Sequence, residues 1–307
     1  MGVLKRTIKS DNSILPGMKT VMADFEDSHK VYYIPNVEYV KRGEKALHLQ
    51  LLMPRGLFPG TEGAGRFPLV VYIQGAAWQE QDMFHNIPQL VMLARNGYVV
   101  ASVKHRSSTE AKFPAHLQDV KSAIRFLRKN ADKYLINPDE VAVWGDSSGG
   151  HTALMIGVTG DMEEFKTEDN HDISDSVKAV VDFYGPTDSA QLNKFPRNPE
   201  FLTDSENSPE NILFGGSVTE HPEIAQPGNP INYVSEEKEL PPFLIMHGDH
   251  DAMVPFNQSV LMVQKLQECS KMVEFYKVCG GEHGFYLWTD EVLEIVDKFL
   301  KAYLAHR

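Results

Sequence analysis

Six apolar runs constrain what this chain can fold into. They are "FPLVVYIQG" (Phe67 to Gly75), "YVVASVKH" (Tyr98 to His105), "DEVAVWG" (Asp139 to Gly145), "SVKAVVDFYG" (Ser176 to Gly185), "FLIMHG" (Phe243 to Gly248) and "MVEFYKV" (Met272 to Val278). Short continuous apolar runs bounded by glycine or proline read as buried strands. Segments of helical spacing lie between or after them, at Asn86 to Gly97, Phe113 to Tyr134, Asn257 to Glu268 and Val292 to Leu304. Strands alternating with helices predict a mostly parallel central sheet with helices on both faces. Two earlier segments, Asn36 to Val40 and Lys45 to Pro54, alternate in polarity and are joined near Gly43. They predict an antiparallel pair, which makes the sheet mixed. Thr187 to Pro242 breaks the rhythm, being polar, proline-dotted and too long for a connection. It reads as a cap-like insertion, about 187–242, within a single domain spanning 1–307.

A chain of 307 residues can bury a large core without staples. No stretch approaches the roughly 18 apolar residues of a membrane span. The formal net charge of −12 argues against nucleic acid and anionic membrane surfaces as partners. Cys269 and Cys279 are the only cysteines, too few for a disulfide framework, so free thiols in a reducing compartment are expected. "MGVLKRTIKSDNSIL" has no long apolar core, so no secretory leader is visible and a cytoplasmic location is the expectation.

One turn carries the chemistry. In "VWGDSSGGHTAL", Gly145, Ser147 and Gly149 fit G-x-S-x-G between a strand and a helix. A nucleophile that protrudes from a sheet needs a sharp turn, and strand and helix then run so close that flanking side chains would clash. Glycine two residues before and two after relieves this. That register selects Ser147, because Ser148 has Asp146 behind it. A glycine-rich phosphate-binding turn is the rival, but no lysine stands in P-loop position.

A serine hydroxyl needs a base and a group that orients the base. In chain order, an acid and then a histidine should follow at later strand ends. His283, in "CGGEHGF", follows the last strand. Asp251, in "HGDHDAMVP", lies far enough into its loop to reach His283; Asp249 and Asp188 are the alternatives, with turn or capping roles otherwise. His151, on the first helical turn after Ser147, is expected to pack behind the site. "HGDHD" also resembles a metal cluster, but no further ligands stand at defined spacing, so neither metal nor cofactor is expected. An oxyanion requires backbone N–H donors. One is the amide of Ser148, and the others should come from "QGAAW", Gln74 to Trp78.

These residues resemble an α/β-hydrolase of the acetyl esterase/lipase group, and most nearly the bacterial esterases that remove acetyl or feruloyl groups from plant cell-wall xylan. The likeness runs from about Leu69 to Leu304. It rests on "QGAAW", on "EAKFPAHLQDVKSAIRFLRKNADKYLINPDEVAVWGDSSGGHTAL", on "SPENILFGG", on "HGDHDAMVP" and on "EHGF". The resemblance implies an α/β-hydrolase fold with Ser147 as nucleophile, His283 as general base and acid, and Asp251 as orienting acid. It implies oxyanion donors at Ala76, Ala77 and Ser148. It also implies hydrolysis of short or aromatic acyl esters, with a small-molecule or oligosaccharide ester as the partner. One departure stands out. The family pattern His-Gly-Gly-Ala-Trp is Gln74-Gly75-Ala76-Ala77-Trp78 here, so Ala76 carries a Cβ where glycine is usual. Trp78 and Phe285, beside the catalytic loops, are candidate substrate contacts, as are aromatics of the insertion such as Phe201 and Phe214. The rival readings are a formamidase or small peptidase with the same triad, and a non-catalytic receptor on this scaffold.

Overall fold

The computed structural model describes residues 12–22, 30–54, 65–195 and 207–305, the side chain of Phe285 excepted. Among these residues the strands form one eight-stranded sheet in the order β1-β2-β4-β3-β5-β6-β7-β8. The strands are β1 (Val31–Arg42), β2 (Lys45–Pro54), β3 (Phe67–Ile73), β4 (Val99–Val103), β5 (Ile136–Asp146), β6 (Ala179–Phe183), β7 (Phe243–Gly248) and β8 (Val273–Val278). β1 pairs antiparallel with β2, and β2 antiparallel with β4; the other pairings are parallel. This is the mixed sheet of an α/β-hydrolase fold. β1 begins five residues before the alternating segment seen in the sequence, at Val31. Pro35 sits at a register shift between Ile34 and Val37 on this edge strand, where a missing N–H costs nothing in the ladder.

β3, β5, β6 and β7 lie inside the sheet and bury both faces, which is why their sequences are continuously apolar. On one face α1 (Ile87–Arg95) and α6 (Asp290–Tyr303) bring Leu90, Leu93, Val296 and Phe299 against Tyr72, Trp144 and Val181. On the other, α2 (Ala115–Lys129), α3 (Ser148–Val158) and α5 (Asn257–Glu268) bring Leu117, Leu154 and Met262 against Val71, Val143 and Ile245. α2 also buries charge. Lys121 and Arg125 both pair with the fully buried Asp175 carboxylate, pinning the loop after α3 to the helix.

Between β6 and β7, the described parts of 187–242 hold 3-10 turns and the short α4 (Pro209–Phe214). They pack against the segment that leads into α2 and against α3. The Phe214 ring meets Phe113 at 5.7 Å between centroids, and the Leu213 carbonyl accepts from the Phe113 amide. Phe201 and Leu202 lie outside the described residues.

Candidate active site

β5 ends in the turn that the glycine spacing anticipates. Ser147 has φ 54° and ψ −125°, a conformation rarely open to a residue with a side chain. It is held there by its amide, which donates to the Phe183 carbonyl at 2.8 Å, and by its carbonyl, which accepts from the His151 amide at 3.0 Å. The flanking glycines are a steric requirement. A methyl group on Gly145 would run into the Gly149 carbonyl, and one on Gly149 into the Ile73 carbonyl. Both obstacles are backbone, the first in the opening turn of α3 and the second at the end of β3, and neither can step aside.

His283 reaches this turn from the loop after β8. Its Nε2 lies 2.9 Å from the Ser147 hydroxyl, and its Nδ1 lies 2.7 Å from Asp251 Oδ2. The three residues thus meet in the expected order, although 136 positions separate Ser147 from His283. The Asp251 side chain is fully buried, whereas that of His283 is 14% exposed, at the floor of a cavity. Burial alone would raise the Asp251 carboxyl. Hydrogen bonds from His247 and His283 outweigh that and hold it well below the usual carboxylate range. Its second oxygen accepts the amides of Met253 and Val254, both at 2.8 Å. An acid so anchored stays ionised and fixes which imidazole nitrogen carries the proton.

The alternative acids have other partners. Asp249 accepts from the Gly280 amide at 2.7 Å and contacts His250 Nδ1 at 2.7 Å, bracing the loop that carries His283. Asp188 caps a 3-10 turn through the Ala190 amide and also holds Asn229. His247, of the metal-like "HGDHD", is fully buried between Ser259 Oγ, the Val254 carbonyl and Asp251.

The oxyanion loop differs from expectation in two ways. The strained positions are Ala77 (φ 52°) and Trp78 (φ 56°), not Ala76. With the Gln79 amide donating to the Ala76 carbonyl at 2.8 Å, residues 76–79 form a turn with two successive left-handed residues, a type I′ geometry. Second, the Ala76 amide donates to Ser148 Oγ at 3.0 Å. Among the described residues the Ala77 and Ser148 amides have no acceptor in the chain. Two of the three expected donors are therefore unengaged, and the third is tied to the helix start.

Trp78 does not reach the cavity. The left-handed turn sends its ring inward, where it is 2% exposed and its indole N–H donates to His151 Nδ1 at 3.1 Å. His151 Nε2–H in turn donates to the Gly228 carbonyl at 2.6 Å. Burial pushes the His151 pKa down to about 4, so the ring is neutral and serves as a strut between loop, α3 and insertion. The Phe285 side chain lies outside the described residues, and the tryptophan that lines the cavity is Trp288.

The cavity has a volume of about 490 Å³. Ala76, Ala77, Ser147 and His283 line its floor; Tyr184, Met253 and Trp288 form an apolar side, and Gln74, His85, Asn86 and Gln89 a polar one. Sequence reasoning missed one group beneath it. Asp146, the residue before the nucleophile candidate, accepts the Gly75 amide at 3.0 Å and the Tyr72 hydroxyl, and Asn86 donates to that same hydroxyl. Burial raises the Asp146 pKa, though these donors and the nearby His283 oppose the shift. It clamps the start of the oxyanion loop to the elbow. The signal was in "GDSS", read only for its glycine spacing.

A serine on a strained strand-to-helix turn, contacted by an imidazole that a buried carboxylate orients, defines the α/β-hydrolase class of site. The comparisons narrow the class. The family model BD-FAE matches residues 57–266, and the chain belongs to that family. It is 30% identical over 224 residues to the esterase LipC of Mycobacterium tuberculosis, covering 72% of this chain and 53% of that protein. The chain spans about half the length of the curated relatives it matches first. Among solved structures, a truncated carbohydrate esterase from gut microbiota superposes with a TM-score of 0.77 at 30% identity, covering 89% of this chain and 96% of the other. A bifunctional GH43-CE protein of Bacteroides eggerthii superposes at 0.76 with 29% identity, covering 91% and 38%. No described helix is long and apolar enough to cross a membrane.

Proposed function

We propose that this protein is a serine carboxylesterase that removes short or aromatic acyl groups, acetyl or feruloyl, from carbohydrate. The observation that carries the reading is the unbroken contact from Ser147 Oγ through His283 to the ionised Asp251. In this reading His283 takes the proton from Ser147 as the oxygen attacks the ester carbonyl. The Ala77 and Ser148 amides receive the developing oxyanion; each such donor contributes about 2.7–4 kcal/mol to the transition state. The tetrahedral intermediate expels the alcohol, which takes the proton back from His283. Water, activated by the same imidazole, then cleaves the acyl-enzyme and returns the acid and free Ser147. The carbohydrate half of the proposal draws on the family and on the carbohydrate esterases among the structural relatives. A cytoplasmic setting fits the two free thiols, Cys269 buried and Cys279 exposed.

The test is a panel of 4-nitrophenyl acetate, methyl ferulate, acetylated xylo-oligosaccharide and N-formylkynurenine, run on wild type and on Ser147→Ala. The expected result is cleavage of the esters in preference to the formamide, and loss of at least about 10⁴-fold in the variant with unchanged thermal unfolding. Preference for the formamide would make the protein a formamidase. Wild-type ester cleavage by Ser147→Ala would remove the serine from the reaction altogether.

A further inference from the structure

Tyr184 stands just past the end of β6 with φ 46°, a left-handed conformation that a residue this bulky rarely adopts. Backbone contacts hold it on both sides. Its amide donates to the Met246 carbonyl at 2.9 Å, and the carbonyl just before it, of Phe183, is the one that accepts from Ser147. An outlier of this kind beside a reaction centre points to a use for the side chain. The ring is fully buried and lies against His283, with 4.7 Å between centroids and 57° between planes.

The hydroxyl is not the useful part. Its oxygen is buried without a completed hydrogen bond. Burial, and next the Asp146 carboxylate, push its pKa well above the usual phenol value, against the opposing indole N–H of Trp288. The phenol is therefore neutral, and what it offers His283 is the ring itself. Acting as a base, His283 is uncharged until it takes the proton of Ser147, and it is an imidazolium in the transition state. A cation within about 6 Å of the centroid of an aromatic face is attracted by the ring quadrupole, and more strongly where water is excluded. A neutral imidazole gains far less, so the contact favours the transition state over the ground state.

Other groups face the same imidazole: Ser147 at Nε2, Asp251 at Nδ1 and, through its charge, Asp146. His247 touches Asp251 and lies 6.2 Å from the Tyr184 ring, and Asp182 and Asp251 act on Tyr184 by charge. All of these stay in place when only the ring's quadrupole is altered.

We propose that Tyr184 is a positioning residue for the base: its ring seats the His283 imidazole and stabilises the imidazolium formed as Ser147 gives up its proton. This rests on the esterase reading and adds to it a residue outside the triad and the oxyanion turn.

The experiment measures kcat/KM on 4-nitrophenyl acetate across pH for wild type, Tyr184→Leu, Tyr184→Phe, and proteins carrying mono-, di- and trifluorinated phenylalanine at 184. Fluorine weakens the quadrupole and changes the ring's size little, so the series remains a test where Tyr184→Leu does not fold. Proton uptake by His283 is followed in parallel through its ring resonances in proton NMR. Tyr184→Leu should lose about three- to tenfold on the plateau of kcat/KM, the size of a cation–π contact, and Tyr184→Phe should recover most of that loss. Along the fluorinated series kcat/KM should fall stepwise toward the Tyr184→Leu value. The acid limb and the NMR midpoint of His283 should move to lower pH in step, because a weaker ring disfavours the charged imidazole. Level rates and midpoints along the series would mean that the ring only fills space. Rates that rise with fluorination would mean that the imidazole meets the ring's edge. Either result overturns the role of Tyr184 and leaves the esterase reading intact. A wild type that cleaves no 4-nitrophenyl acetate overturns both.

Discussion

Two tight turns face each other across the cavity, and they meet backbone strain in opposite ways. At the elbow the constraint is contact. Gly145 and Gly149 lie so near neighbouring backbone that no side chain fits, and glycine is the only solution. At the oxyanion turn the constraint is torsion. Ala77 and Trp78 both carry positive φ, each at a cost of about 1–2 kcal/mol, and neither is glycine. That cost is offset by anchoring. The Trp78 carbonyl accepts from the Ser108 amide at 2.7 Å, its indole is bonded to His151, and the Ala76 amide is held by Ser148 Oγ. A close approach admits no substitute, whereas a strained torsion can be held if the side chain itself is used as the anchor. Ser147 combines the two, being strained in torsion and confined between glycines.

The largest expected effect follows from that combination. Ser147→Gly should relieve the strained torsion and stabilise the protein by about 1 kcal/mol, while ester turnover falls at least about 10⁴-fold. Opposite movement of stability and activity, read by denaturant unfolding and by 4-nitrophenyl acetate hydrolysis, would mark the elbow as strain kept for chemistry. A loss of stability in Ser147→Gly would mean that its conformation is not strained. Next in size is Gly149→Ala. Its methyl meets the Ile73 carbonyl, which the sheet holds in place. A cost of about 3 kcal/mol or more is expected, a fall in Tm of roughly 6–10 °C. A near-neutral result would show that strand and helix can part, and that glycine at 149 is a convenience.

How far this contrast could be read in advance depends on which physics sets each feature. Strand burial and helix spacing are local patterns, so the alternation of elements was legible, as was the convergence of Ser147, Asp251 and His283, which follow strand ends along one edge of the sheet. The glycines at 145 and 149 could be read because the strand-to-helix turn itself brings Gly145 against Gly149, although the obstacle at Gly149, the Ile73 carbonyl, lies far away in the chain. The oxyanion turn was not legible. The Cβ of Ala76 drew attention to the wrong residue, because the torsion at each position of "QGAAW" is decided by partners at Ser108, Ser148 and His151, far away in the chain. Trp78 looked like a substrate contact by adjacency alone, and the left-handed turn directs it inward. Asp146 escaped notice for the same reason, since its partners Tyr72 and Gly75 are 74 and 71 positions away.

A buried acid extends the comparison to pH. Asp182, on β6, backs the elbow. Its Oδ1 accepts from the Gly185 amide at 2.9 Å and sits where a methyl on Gly150 would go. Burial pushes its pKa up to about 8, far above the usual carboxylate range. The folded state therefore favours the protonated acid. That contribution is whole below the unfolded value, erodes as pH rises toward 8, and changes no further above it. At about 1.36 kcal/mol per unit the erosion amounts to several kcal/mol. Asp182→Asn should remove it, so the variant gains stability relative to wild type as pH goes from about 5 to 8, seen as converging or crossing Tm curves. Parallel curves over that range would mean that Asp182 carries its charge without penalty.

The smallest effect is the one that separates the two turns most sharply. Ala77→Gly removes a side chain from a left-handed position, which relieves about 1–2 kcal/mol of strain. The unfolded chain gains freedom at the same time, which returns about 0.5–1 kcal/mol. The net gain should be below about 1 kcal/mol, or roughly 1–3 °C in Tm. The activity should move the other way. A glycine at the centre of the turn lets the Ala77 position's N–H swing from where an oxyanion would form, so kcat should fall a few-fold with KM little changed, a loss seen only in the transition state. The same exchange cannot be run in reverse at the elbow, where Gly149→Ala costs fold and turnover together. If Ala77→Gly instead destabilises by more than about 1 kcal/mol, the alanine methyl contributes packing that outweighs its torsion, and the two turns differ less than their backbones suggest.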